Sequence, residues 1–130
     1  MRGRKRSLQK VWWVEIEELK DGIDTTIKYG KPKLYWQSVS ATSGTPEEIS
    51  AGIIPNYDRY VTSYDRRFSP EEGMQLFVDR EPQIDSDENL VMDEDGITPI
   101  TLPDYRMVRI LDTKRGNVAR YGISKIGGNQ

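Results

Sequence analysis

Apolar and polar residues alternate with period two in several short stretches of this 130-residue chain. That periodicity predicts β-strands. In VWWVEIEEL, residues 11–19, Trp12, Val14 and Ile16 share one face of an extended chain, and Trp13, Glu15 and Glu17 share the other. Trp12, Ile16 and Leu19 also fit helical spacing, but the aromatic and β-branched content favours a strand. TTIKY (25–29) alternates and stops at Gly30-Lys31-Pro32, and LYWQSVS (34–40) is a further extended segment. MQLFVD (74–79) sets Met74, Leu76 and Val78 against Gln75, Phe77 and Asp79. DYRMVRILD (104–112) and VARYGISKI (118–126) flank TKRGN, where Gly116-Asn117 supplies the positive φ that a hairpin turn needs. Ala119, Tyr121 and Ile123 share one face of the last strand.

Two segments carry helix-start signals. In TPEEIS (45–50), Thr45 is placed to cap, Pro46 to open the first turn and Glu48 to complete a capping box. SPEEG (69–73) repeats the device with Ser69, Pro70 and Glu72, and Gly73 ends it. Each is too short to be stable alone, so both are expected as one-turn helices at corners between strands. IIPNYDRYVTSYDR (53–66) is a less clear strand: Asp58, Tyr60, Thr62 and Tyr64 face one way, and Arg59, Val61, Ser63 and Asp65 the other. Six or seven short strands at regular spacing predict an all-β fold, a small β-barrel or sandwich. The expected organisation is a basic arm over 1–10, one β-barrel domain over 11–126 and a tail over 127–130.

Composition narrows the chemistry. The chain has no cysteine and no histidine, which removes disulfides, thiolate zinc sites, cysteine nucleophiles and the commonest general base. No catalytic constellation can be named from the carboxylates and lysines, so the expectation is a protein that is not an enzyme and has no cofactor. No apolar run is long enough to span a membrane. IDSDENLVMDEDG (84–96) starts like a calcium loop, with Asp85, Asp87 and Asn89 at ligand spacing. It then has Leu90 where glycine is needed and Gly96 where a bidentate glutamate is needed.

The net charge of −2 hides segregation. Arg2, Arg4, Lys5, Arg6 and Lys10 lie in the first ten residues without an acid, whereas Asp79, Glu81, Asp85, Asp87, Glu88, Asp93, Glu94 and Asp95 surround the single Arg80. Opposite charge blocks in one small chain read as docking surfaces for neighbours or nucleic acid. The arm lacks interleaved aromatics, which argues against stacking on single strands. Because Trp12 and Trp13 point to opposite faces of a strand, one of them is expected outside the core of the single chain, against another subunit. Tyr60 and Tyr64 are expected at the same kind of interface. Arg106, Arg109, Lys114, Arg115 and Arg120 in 104–126 keep open a nucleic-acid-binding barrel of the OB type.

The order SVSATSG (38–44), a polar turn, GIIPNYDRYVT (52–62), FSPEEGMQLFVD (68–79) and DYRMVRILDT…VARYGISKI resembles the head-closure (stopper, or head–tail connector) proteins of long-tailed bacteriophages. The resemblance spans roughly residues 11–126, and the acidic insert 80–98 is longer than the family pattern. It implies a small β-barrel that assembles into a homo-oligomeric ring of twelve copies in the virion neck, built in the host cytoplasm. Such a ring sits below the portal or its adaptor and above the tail terminator or tail proteins. It closes the channel around packaged DNA and docks the tail. Strand addition and charge pairing would join neighbours, and a loop in 41–52 (Glu47, Glu48) or 80–98 (Asp85, Asp87, Glu88, Asp93, Glu94) would face the channel. A tail terminator or a portal adaptor is the alternative within the same assembly.

Overall fold

Among the described residues, the alternating stretches form eight antiparallel strands, six of which close into a barrel. The computed structural model describes residues 8–41, 43–44, 48, 50–52, 56–65, 67–113 and 118–126. The strands are β1 (Leu8–Val14), β2 (Ile16–Asp21), β3 (Asp24–Tyr29), β4 (Lys33–Val39), β5 (Arg59–Ser63), β6 (Gln75–Phe77), β7 (Tyr105–Thr113) and β8 (Ala119–Lys125). Around the barrel the order is β1-β4-β5-β8-β7-β6, with β6 returning to β1 through Trp12↔Phe77, Trp13↔Leu76 and Val14↔Gln75. Strands β2 and β3 form a separate two-stranded hairpin.

The stretch 11–19 is therefore two strands rather than one. The chain leaves the barrel at Glu15, whose carbonyl accepts a 2.9 Å bond from the Gly30 amide and so pins the hairpin base. At the other end of the hairpin, Asp21 pairs with Asp24 across Gly22-Ile23. Gly22 has φ 69°, the left-handed value that the first central position of a type II′ turn requires. Asp21-Gly22 is the turn signal in the sequence that announces this hairpin.

Of the two expected helical corners, 69–73 is a tight turn instead. The Met74 amide bonds the Glu71 carbonyl at 3.2 Å, and Gly73 takes φ 98° at the third position of the turn. Within 45–50 only Glu48 and Ser50 are described, both with helical backbone; the remainder of that corner lies outside the described residues.

Inside the barrel, Val11, Trp13, Val61, Phe68, Leu76, Val78, Tyr105, Met107, Tyr121 and Ile123 form one core. Phe68 closes the end where β1 finishes and β4 begins. Its ring meets Trp13 edge-on at 4.8 Å and lies 4.6 Å from Tyr35 and 5.6 Å from Tyr121, spacings in the favourable range for aromatic pairs. The Trp13 indole N–H donates to the buried Gln37 carbonyl oxygen at 2.7 Å, which satisfies both polar atoms.

A second core lies outside the barrel wall, where Trp12, Val14 and Phe77 pack with Leu90, and Ile16, Tyr29 and Met92 border them. This corrects the expectation that one tryptophan is left for a neighbouring subunit: Trp12 is 8% exposed and Trp13 1%. The insert 80–98 folds back and supplies the cover. A continuous VWWV run, rather than an alternating one, is what a strand buried on both faces requires.

Segment 56–58 packs on the outer face of β8. Tyr57 is buried over Gly122, where an added Cβ would stand 2.9 Å from the ring carbon Cγ and 3.3 Å from Cβ of Tyr57. Asp58 ties the segment down by accepting from the Lys125 amide at 2.8 Å. Replacing Gly122 with Ala should displace Tyr57 and cost about 1–3 kcal/mol, the range for overpacking, read as a lowered urea midpoint; an unchanged midpoint would show that Tyr57 moves aside freely.

Candidate interaction surfaces

The end of the barrel opposite Phe68 is closed by polar groups. Asp104, 4% exposed, accepts from the Val78 amide through one carboxylate oxygen and from the Asp79 amide through the other, both at 2.8 Å. Its own amide donates to Leu76 O, and its carbonyl accepts from Ile126, each at 3.0 Å. Asp104 therefore binds the end of β6 to the start of β7 and the end of β8. Beside it the Arg59 guanidinium donates to the Ser40 carbonyl at 2.6 Å, bridges to Asp79 at 3.2 Å and lies 5.7 Å from the Tyr105 ring. Asp104 and the Arg59 guanidinium both bond to groups within the chain, so the cluster reads as a structural clamp.

The acidic insert has no regular strand, yet it is ordered by backbone bonds. One small loop is closed by Val91 N to Gln83 O and Asp85 N to Asn89 O, both 2.9 Å. A second is closed by Asp93 N to Thr98 O at 2.7 Å and Ile100 N to Val91 O at 3.0 Å. Its carboxylates cap their own turns. Asp85 accepts from the amides of Asp87 and Asn89 at 2.9 Å each, while Glu88 takes the left-handed φ of 66°. Asp95 accepts from the Ile97 and Thr98 amides and the Thr98 hydroxyl at 2.8–2.9 Å. The calcium-like spacing at 85–89 is thus a turn whose lead carboxylate is bonded to amides. Among the described residues no group of three or more acids is placed to hold a metal ion. Asp85, Asp87, Glu88, Asp93 and Glu94 all stay exposed, on a flap anchored through Leu90 rather than on a free loop.

A contrasting surface runs along the outer wall of the other strands. Lys10 of β1 pairs in register with Trp36 of β4, and its ammonium lies 5.8 Å from the indole centroid. Trp36 is 59% exposed, with Leu8 and Leu34 also open on the same face. Arg120 of β8 lies 6.0 Å from the ring of Tyr60 on β5, a cation–π distance. Register shifts in β7 place Arg106 opposite Ser124 and Arg109 opposite Gly122. Ser124 and Gly122 share a face, so both arginines point outward although three residues apart; a regular strand would have split them. Cations and aromatics thus line one arc of the wall, and the acidic flap covers another.

The remaining candidates are scattered. Tyr60 and Tyr64 are half-buried. Glu48 accepts from the Tyr57 hydroxyl, so it is engaged with the barrel. Arg2, Arg4, Lys5, Arg6 and Glu47, with Lys114 and Arg115, lie outside the described residues. Nothing in the sequence pointed to Asp104 beyond its place before an apolar strand.

The class defined by these features is a closed six-stranded antiparallel β-barrel with an external hairpin and an acidic flap. Comparison with known proteins finds no matching family model, curated protein or solved structure.

Leu90→Ala should uncover Trp12 and destabilise the chain by about 2–4 kcal/mol, with a red shift in tryptophan emission; a flap that merely rests on the barrel would give neither. Bonds from the Thr98 and Ile97 amides, then the Thr98 hydroxyl, hold the Asp95 carboxyl below the usual carboxylate range. A lowered folded-state value stabilises the turn above the unfolded value and loses that contribution as pH falls through the lowered one. The Thr98 amide should therefore stay protected down to about pH 4, where an unperturbed carboxyl is about half protonated, and lose protection only at lower pH, as followed by NMR.

Proposed function

We propose that this chain is a structural ring subunit of a tailed-phage neck, a head-closure protein that seals the portal channel after DNA packaging and docks the tail. The observation that carries the reading is the wall around Trp36: a large indole more than half exposed between Leu8 and Leu34. An apolar patch rimmed by charge is a surface that a neighbouring chain covers. The order of the sequence segments and the small closed barrel support the same reading. So does the separation of the cationic arc from the acidic flap, which suits charge pairing between identical neighbours. In this reading the portal or adaptor lies above, the tail proteins below and DNA in the lumen. Because the barrel is closed, strand addition among the described residues is left to the β2–β3 hairpin.

A second reading rests on Lys10 with Trp36 and Arg120 with Tyr60. Aromatic rings beside cations on an outer wall also suit a nucleic-acid-binding barrel.

The deciding experiment combines the purified chain with its portal or adaptor and measures particle mass and symmetry by electron microscopy. A twelve-fold ring in which Tyr60 or Tyr64 loses exposed area is expected. A six-fold ring would point to a tail terminator. A ring with both tyrosines still exposed would remove them from the interface. A chain that stays monomeric and binds DNA tightly at physiological salt would replace the structural reading with the second one.

A further inference from the structure

The β2–β3 hairpin carries a knob at one end and has a hole at the other. Ile23 at the tip is 100% exposed, an unusual place for a large aliphatic side chain in a two-residue turn. At the hairpin base, beside Glu15 and Lys31, a cavity of about 280 Å³ opens into the barrel end, with Trp13, Tyr35, Phe68 and Met74 among the residues that line it. A cavity of about 150 Å³ already accommodates benzene, so the space suffices for a branched aliphatic side chain. The hairpin rises roughly 17 Å from base to tip at about 3.4 Å per residue, which keeps the knob away from its own hole.

We propose that Ile23 of one copy seats in the barrel-end cavity of the next, so that the hairpin is the head-to-tail connector between copies of this chain. The charges around the two partners agree with this occupant. Lys31 and Lys33 stand at the cavity, and the tip presents Asp24, exposed directly after Ile23. Glu15 and Glu71, also at the cavity, meet Lys20 of the incoming hairpin. Knob and hole are different surfaces, so the contact is heterologous: it propagates from copy to copy and closes only if the rotation per step divides the circle. The proposal names the contact for the ring assembly proposed above, and rests on that reading only for closure.

The absence of cysteine from the chain makes the test direct. Ile23→Cys and Ser69→Cys, the latter an exposed position lining the cavity, are mixed in equal amounts under copper–phenanthroline oxidation. The expected product is a disulfide-linked heterodimer that exceeds the product of Ile23→Cys with Ile84→Cys, an exposed position on the acidic flap outside the cavity lining, by at least tenfold. The double variant Ile23→Cys/Ser69→Cys should give a ladder of oligomers, and Ile23→Asp should abolish self-association while leaving the monomer's circular dichroism unchanged. Rings that form without the crosslink would overturn the knob-and-hole contact and leave the ring reading standing. Crosslinked open chains that never close would support the contact and count against the ring. Neither crosslink nor assembly when the portal or adaptor is also present, at concentrations where the monomer stays folded, would overturn both.

Discussion

The structure depends on β1 being buried on both faces. Trp13 points into the barrel and Trp12 points out of it, yet both are buried. A tryptophan buries on the order of 150–250 Å², so at about 25 cal/mol per Å² the two indoles remove roughly 8–12 kcal/mol of apolar surface from water before entropy is subtracted. The inner half organises the aromatic plug around Phe68. The outer half obliges the chain between β6 and β7 to fold back, because Val14 and Phe77 flank Trp12 and need the same cover. The acidic insert is thus an apolar lid with a charged exterior, and Leu90 is the side chain that anchors it over Trp12.

The two barrel ends are closed by different chemistry. Phe68 and its ring neighbours fill one end incompletely and leave a cavity open to solvent. The other end is sealed by Asp104, whose two carboxylate oxygens accept two backbone amides. A buried carboxylate is tolerated when its lone pairs are met in this way. One end is therefore saturated and the other still has room for a ligand side chain, which gives the barrel a direction that a symmetrical arrangement of strands would lack.

A closed barrel has no unpaired edge, so association through its wall must use side chains. Trp36 with Lys10, the arginines of β7 and β8, the exposed hairpin and the flap occupy different parts of the exterior. A subunit with distinct surfaces on different sides can join head to tail, as a ring requires. The same distribution explains a composition of 35% hydrophobic and 31% charged residues in so small a domain: part of the apolar material is spent on the exterior.

Strand positions were legible in the sequence because period-two alternation is a local property, set by one buried and one solvated face. The barrel strands β4, β7 and β8 and the hairpin strand β3 lie close to where the pattern puts them. The pattern was least informative where both faces are covered, at VWWV and LFV, since burial on two sides erases alternation. It also led to an expected exposed tryptophan, because nothing local indicates that Leu90, 78 positions later, covers Trp12. The outward pairing of Arg106 with Arg109 depends on register shifts set by β8, and the role of Asp104 on amides brought to it by β6. The sequence by itself determined which segments extend, that a corner falls at 69–73 and that no cysteine or histidine chemistry is available. Closure of the barrel, the second core and the separation of surfaces were decided by tertiary structure, because each requires groups distant along the chain to meet.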